Sequence, residues 1–352
     1  MRKLLPCLIA FCLLLSGCAL LDPVVTAPRI DYPTVQADSL QVHFIDVGQA
    51  DCTLLECDGE YMIIDGGNVE DSDLVVAYLE NLGVQQLDTV VCTHAHEDHV
   101  GGLPAVLAVY PTEQVLAPTR TDSSPFFADF LYYVGQQDLS VTVPTPGDSF
   151  RLGDATVTVM GPVTGYPDAN NTSIVLMVEY GDTAFLFTGD MELEAEIDML
   201  NYWGEDTDWD VDVLKVGHHG SSTSTGYRLL RETDPEYAVV SLEKGNPYGH
   251  PHRETLAIMS DAEIPMLRTD ELGTILAVSD GKEVTFIWEK QHAQPSDIDL
   301  ADTTYIGNRN SKYLHLPTCD GLPAKKNQVL FSSYLEALEE GYVACPKCFS
   351  GN

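Results

Sequence analysis

The sequence predicts a mixed α/β body over residues 41–290 and a small metal-stapled module over residues 303–352 of a 352-residue chain. Three observations carry that expectation. Strand-like apolar runs alternate with helically spaced ones through the body. The apolar stretch Leu87 to Cys92 runs directly into Thr93-His94-Ala95-His96-Glu97-Asp98-His99-Val100-Gly101-Gly102, with three imidazoles and two carboxylates in six residues. Near the C-terminus, Cys345-Pro346-Lys347-Cys348 follows His315 and Cys319, a zinc-type donor set. At 44% hydrophobic and 20% charged residues, the chain can bury one large core and is not compositionally disordered.

Taken in order, Met1 to Cys18 reads as a secretion signal: Arg2-Lys3 is its basic start and Leu4 to Leu15 its apolar stretch. It is too short for an ordinary membrane-spanning helix. Leu15-Ser16-Gly17-Cys18 resembles the lipobox of bacterial lipoproteins. That resemblance implies a signal peptide over 1–17, lipid on Cys18, and an exported protein on the extracellular face of the cell membrane, held by its lipid alone with no transmembrane helix in the mature chain. Residues 18–40, with Pro23, Pro28 and Pro33, read as an extended tether. Export permits disulfides. Cys52 and Cys57, however, sit at opposite parity on one strand, so with Cys92 they are expected as buried thiols.

Val42-His43-Phe44-Ile45 and Cys52 to Cys57 read as strands, Asp58-Gly59 as a hairpin turn and Tyr61 to Ile64 as the returning strand. His43, alone on a strand, reads as a packed core histidine. Ser72 to Leu82 is helically spaced with Ser72 as N-cap, Leu87 to Cys92 is a strand, and Pro104 to Tyr110 a helix. Ala117 to Gly135, with Phe126, Phe127, Phe130, Tyr132 and Tyr133, is either a lid or a core-facing aromatic helix. Strands are expected at 141–143, 150–152, 155–160, 174–179 and 184–187, where the first half closes. The second half continues with a helix at 192–200, a strand at 211–216, a helix at 227–231, a strand at 237–242 and a helix at 253–260. Strands at 274–278 and 283–288 turn at Asp280-Gly281.

The spacing His-x-His-x-Asp-His suits two adjacent divalent ions, because alternate residues of an extended segment share a face while the next two turn to a second position. Zinc and manganese accept imidazole nitrogen and carboxylate oxygen. Phe185 to Asp190 is an apolar strand delivering one carboxylate, a buried charge that is tolerable when a cation neutralises it.

With these residues the sequence resembles the metallo-β-lactamase-fold hydrolases, whose signature is His-x-His-x-Asp-His, and more narrowly the hydrolase domain of the ComEC competence-protein family. The narrower likeness rests on Phe44-Ile45-Asp46-Val47-Gly48-Gln49-Ala50-Asp51, Ile63-Ile64-Asp65-Gly66-Gly67, Asn170-Asn171-Thr172-Ser173-Ile174-Val175-Leu176, Thr188-Gly189-Asp190, Leu214-Lys215-Val216-Gly217-His218-His219-Gly220-Ser221 and Tyr248-Gly249-His250-Pro251-His252. The resemblance implies a four-layer αββα sandwich with two divalent metal ions, zinc or manganese, in the cleft between its halves. His94 and His96 would bind the first ion, Asp98 and His99 the second, and Asp190 both, while Asp65 holds the loop by hydrogen bonds. His250 is expected as the second ion's remaining ligand and His218 as a ligand or proton donor, with His219 and His252 as close alternatives. Asp98, His218 and His219 are the residues expected in catalysis itself. Adjacent histidines on an extended backbone do not both face one point, so the choice between them stays open. Many two-metal members carry another histidine before the bridging aspartate, and Gly161 to Glu179 has none. The first ion therefore has a weaker ligand set, or Asp168 or Asn171 substitutes.

Paired cations acidify water and stabilise charge on the attacked centre, so hydrolysis is the expected chemistry. The ComEC likeness implies a phosphodiesterase or nuclease acting on extracellular DNA. Hydrolysis of a small ester, lactone or β-lactam is the second reading, and a non-catalytic surface binding protein the third. A net charge of -36, from 54 acids against 18 Lys and Arg, repels polyanions at long range, whereas DNA affinity rests on Lys and Arg. Lys215, Arg228, Arg231, Lys244 and Arg253 all fall in the segment with the later histidines, and are either a local basic grouping that meets phosphate or ordinary surface charges. Gly217, Gly220, Ser221 and Ser222 either bind substrate oxygens or form a turn.

Residues 291–302 read as a polar linker. Tyr305 to Cys319, Phe331-Ser332-Ser333, Glu336 to Tyr342 and Cys345-Pro346-Lys347-Cys348 resemble the small metal-binding domain of the Ada DNA-repair family, with His315 in place of one cysteine. This implies one structural zinc on His315, Cys319, Cys345 and Cys348, a staple that so short a core needs; a Cys345–Cys348 disulfide is the alternative. With Arg309, Lys312, Lys325, Lys326 and Lys347 against Asp320, Glu336, Glu339 and Glu340, the tail is slightly basic, and either touches DNA or is architectural.

Overall fold

The computed structural model describes residues 38–290 and 304–349. The segments expected as signal peptide, lipidated Cys18, most of the tether, and linker lie outside the described residues. The chain begins with an antiparallel meander of β1 (Leu40–Phe44), β2 (Thr53–Cys57) and β3 (Glu60–Ile64). Helix α1 (Ser72–Leu82) leads to β4 (Leu87–Val91), parallel to β3, and the short α2 (Glu97–Val100) and α3 (Leu103–Val109) lead to β5 (Thr112–Leu116). After α4 (Pro125–Gln136) come β6 (Ser149–Leu152), β7 (Ala155–Gly161), β8 (Val175–Tyr180) and β9 (Thr183–Phe187), all antiparallel. Crossovers through α5 (Leu193–Trp203), α6 (Tyr227–Thr233) and α7 (Arg253–Asp261) then lay down β10 (Val213–Lys215), β11 (Tyr237–Val240) and β12 (Met266–Arg268) in parallel. Past α8 (Thr269–Leu272), β13 (Ile275–Ser279) and β14 (Val284–Trp288) return to the other sheet, with β13 antiparallel to β1.

Two seven-stranded sheets result, ordered β14-β13-β1-β2-β3-β4-β5 and β12-β11-β10-β9-β8-β7-β6. Side-chain alternation sets the layers. Val42, Phe44 and Leu55 point into one core with Val157, Leu176, Phe185 and Phe187 of the second sheet. Leu54, Ile63 and Val90 point the other way, beneath Leu79 of α1, Val106 of α3 and Phe130 of α4. Leu186, Leu214 and Val240 lie beneath Met199, Leu230 and Met259 on the far side. This is the four-layer αββα sandwich.

Several local expectations change. Residues 141–143 make a single bridge, Leu116 to Thr142, and no strand; Pro144 and Pro146 supply no N–H to extend a ladder. The division between halves falls before β6 rather than after β9, because β6 to β9 join the second sheet. α4 is the core-facing aromatic helix and not a lid, with Phe127, Phe130 and Val134 buried. Asp71 rather than Ser72 takes the N-cap position of α1, its carboxylate accepting from Asn68 and not from the helix, and the helix ends at Gly83 in the left-handed region. Cys52, Cys57 and Cys92 are free buried thiols, and His43 is buried with its Nδ1 2.9 Å from Tyr78 Oη.

The tail forms a four-stranded sheet, β17-β15-β16-β18, from β15 (Tyr305–Asn308), β16 (Tyr313–His315), β17 (Gln328–Phe331) and β18 (Val343–Ala344), with α9 (Tyr334–Glu339). It does not stand apart. Tyr305, Tyr334 and Phe349 share an apolar cluster with Ala257 and Ile258 of α7. Asp261 Oδ2 accepts from Ser333 Oγ at 3.1 Å and from the Leu335 N–H at 2.9 Å. Among the described residues, no helix is long and apolar enough to cross a membrane.

Candidate metal centre

Strand β4 ends at the intersheet cleft and hands the chain to Thr93 to His99. Asp65, one residue past β3 and at φ 59°, accepts the Thr93 N–H at 2.8 Å on Oδ1, and Thr93 Oγ at 2.6 Å and His99 Nδ1 at 2.7 Å on Oδ2. With the Thr93 hydroxyl proton committed to Asp65, its oxygen accepts from His94 Nδ1 at 3.1 Å. Both imidazoles are therefore protonated at Nδ1 and present a bare Nε2 to the cleft. His96 caps the turn of α2 and is exposed, its Nδ1 3.1 Å from His94 Nε2.

Asp190, directly after β9, divides the donors between its two oxygens. Near Oδ2 lie His94 Nε2 at 3.9 Å and His218 Nε2 at 3.7 Å. Near Oδ1 lie His99 Nε2 at 3.2 Å and His219 Nε2 at 3.9 Å, and Asp98 Oδ2 is 3.3 Å from the same His219 nitrogen. Ser173 Oγ anchors the main chain at this residue by accepting the Asp190 N–H at 3.1 Å. Asn171 Oδ1 holds the following turn through the Glu192 N–H at 3.0 Å, and Asp168 binds the Asn170 N–H at 3.0 Å. Neither Asn171 nor Asp168 stands in for the histidine missing before Asp190; His218 occupies that side instead.

The expectation that adjacent histidines exclude one another is overturned by the backbone. His218 and His219 both have positive φ, 49° and 53°, so both rings reach the same carboxylate. The structure puts His219 where the sequence reading had His250. His219 Nδ1 donates to Ser241 O at 3.1 Å and lies 3.4 Å from Asp51 Oδ1. His250, like His96 and His218, is in none of the groups of the body's described residues whose ligand atoms all lie within 4.8 Å of one another, which are His94 with His99 and Asp190, Asp98 with His99 and His219, and Asp51 with Asp65 and His99; burial, then His252, His219 and His218, push its ring down to about 3. His252 is engaged at both nitrogens, accepting the Ser222 N–H at 3.0 Å and donating to Tyr248 O at 3.1 Å, so it braces the loop rather than facing the centre. Ser221 and Ser222 belong to that turn.

Asp51 and Lys215 are parts of the centre that the sequence did not single out for it. Asp51 Oδ2 receives Lys215 Nζ at 2.9 Å, both side chains buried. Burial works against the Asp51 charge, yet Lys215 and His219 hold its carboxyl well below the usual range. Lys215 is thereby removed from the basic grouping that would meet phosphate.

Residues 45–243 match the family described as the metallo-beta-lactamase superfamily. The chain belongs to that superfamily. Over 263 residues it is 30% identical to ComE operon protein 3 of Bacillus subtilis (strain 168), covering 69% of this chain and 33% of that protein. Over 231 residues it is 29% identical to Recombination protein 2 of Haemophilus influenzae, covering 64% of this chain and 26% of the relative. It thus spans a third or less of the length of these relatives. The superfamily protein YhfI of Bacillus subtilis aligns in backbone at 14% identity with a TM-score of 0.46, over 71% of this chain and 100% of that one.

The metallo-β-lactamase fold implies divalent metal ions, and the residues present fit them. No hydrogen bond reaches His99 Nε2, His219 Nε2 or Asp190 Oδ1, although all three are buried. Buried polar atoms are rarely left so without a further partner. Burial opposes charge on His219, yet Asp190 and Asp51 hold its imidazolium up to about 10. The tail has a second donor group, in which His315, Cys319, Cys345 and Cys348 bring one ligand atom each within 4.8 Å of the others. These cysteines are free, and the Leu316 and Gly321 N–H groups donate to Cys348 and Cys319 sulfur at 3.4 Å each.

Proposed function

We propose that this superfamily member is a metal-dependent phosphodiesterase that cleaves nucleic acid outside the cell. The observation that carries the hydrolytic reading is the split of donors across the two oxygens of Asp190. His94, His96, His218 and Asp190 Oδ2 would hold one cation, and Asp98, His99, His219 and Asp190 Oδ1 the other. Two divalent cations supply, when bound, an acidified water and neutralisation of charge on the attacked centre. Asp65, Thr93 and Ser241 keep the Nε2 atoms turned inward, and Asp51 with Lys215 backs His219. The relative named for recombination supports a nucleic-acid substrate. The Cys18 lipid anchor, the extracellular site and a structural zinc in the tail complete the proposal.

One observation favours the second reading, a small ester, lactone or β-lactam. The cleft beside Asp98, about 540 Å³, is lined by Asp46, Glu70, Asp71, Glu97 and Glu243 and by no Lys or Arg. Such a wall suits a small neutral or cationic molecule better than a polyanion. The full chain, loaded with zinc or manganese, is assayed on single- and double-stranded DNA, bis(p-nitrophenyl) phosphate, small esters, lactones and β-lactams. Phosphodiester cleavage falling at least about a hundredfold in Asp190→Asn supports the proposal. Cleavage confined to carboxylic substrates shifts the function to the second reading, and any activity surviving Asp98→Ala with Asp190→Ala overturns the site.

A further inference from the structure

We infer that Gln49 fixes the tautomer of His250, leaving a proton on Nε2, so that His250 serves the reaction as a neutral hydrogen-bond donor to a substrate oxygen and not as a metal ligand. The role in reaction rests on the hydrolase reading; the tautomer does not.

The argument starts at a backbone group. The Glu243 N–H donates to Gln49 Oε1 at 3.2 Å, which orients the amide. Gln49 Nε2 then lies 3.3 Å from His250 Nδ1. An amide nitrogen donates and has no lone pair to offer, so Nδ1 must accept and the ring proton resides on Nε2. This is opposite to His94, His99 and His219, whose Nδ1 atoms donate to Thr93, Asp65 and Ser241 and which turn Nε2 toward Asp190. His250 thus differs from these three in using Nδ1 as an acceptor and keeping its proton on Nε2.

His250 is also held in place. Asn246, itself buried, accepts the His250 N–H at 3.0 Å and donates to His250 O at 2.8 Å. The ring lies near-parallel to His219, with centroids 6.5 Å apart, and near-parallel to Tyr248 at 5.6 Å. Gln49 and Tyr248 line the cleft next to Asp98. Nε2 has no protein partner among the described residues. A fixed neutral donor at a site of developing negative charge costs no reorganisation during reaction.

The decisive variant is Gln49→Glu, which keeps the acceptor for Glu243 N–H but turns the donor facing Nδ1 into an acceptor. Nitrogen-15 spectra of the histidine-labelled full chain, apo and zinc-loaded, read the tautomer directly, with His250→Gln identifying the resonances. We expect a protonated Nε2 and a bare Nδ1 in the native chain in both states, reversed in Gln49→Glu. With a turned-over phosphodiester, kcat in Gln49→Glu should fall roughly a hundredfold while KM moves less than about threefold, and His250→Gln, whose amide still donates, should recover part of the loss. Nδ1 protonation in the native chain, or a zinc-induced ligation shift at His250, overturns the inference. So does an unchanged kcat in a Gln49→Glu protein whose tautomer has flipped. A native chain with the expected tautomer and no hydrolysis of any substrate contradicts the function instead.

Discussion

At the scale of single residues, the centre depends on buried charges that neutralise one another. Asp51 and Lys215 are the clearest pair. Removing one partner leaves the other charged and dry, at a cost of about 3–5 kcal/mol. Asp51→Asn should therefore lower the denaturant-derived stability of the full chain by that order and weaken metal retention, and adding Lys215→Met should restore much of the stability. Glu196 makes a second prediction, in pH. Burial raises its carboxyl to about 7 from 4.5, against the Gly226 and Thr225 N–H groups that favour its charge. A raised folded pKa gives stability that is present below 4.5 and lost as pH rises through about 7. The native chain should lose about 3 kcal/mol more than Glu196→Gln across that window, from the size of the shift; equal slopes in the two proteins would refute it.

At this scale the sequence singles out His94, His96, Asp98 and His99 through one local motif, and Asp190 through the apolar strand that delivers it. The sequence does not choose between His218 and His219, because an extended backbone would turn their rings apart, whereas both residues are left-handed. The contact between Asp51 and Lys215 joins residues 164 positions apart, and no local pattern encodes it.

At the scale of elements, the metal loop is seated by close backbone approach. A Cβ on Gly102 would lie 2.0 Å from Gly66 O, so the loop after β4 and the turn after β3 interlock only with glycine there. Gly102→Ala should separate them, detach Thr93 and His99 from Asp65, and lower both melting temperature and metal content; a variant with native metal stoichiometry would contradict this. Most strands and helices were readable from periodicity. β5, whose Thr112-Glu113-Gln114 start is polar, was not, nor was the return of β13 to β1, since sheet partnership is decided by tertiary packing and not by local sequence.

At the scale of the whole molecule, a charge of -36 surrounds the cleft. Ordinary nucleic-acid binders lose affinity as salt rises. Here repulsion between an acidic surface and an anionic phosphodiester is what salt screens, so kcat/KM on that substrate should rise between low and moderate ionic strength. A steep fall would reveal a basic track that the described cleft lacks. The tail's docking on α7, next in chain to His252, also belongs to this scale. The sequence showed a module and its donors, but not that its aromatic side chains complete a body core.

The central claim is tested most directly by anomalous diffraction at the zinc edge from crystals of the zinc-loaded full chain. The account predicts two peaks about 3.5–4 Å apart, one beside Asp190 Oδ2 with His94, His96 and His218, the other beside Oδ1 with Asp98, His99 and His219. A single ion, none, or one held by His250 would contradict it.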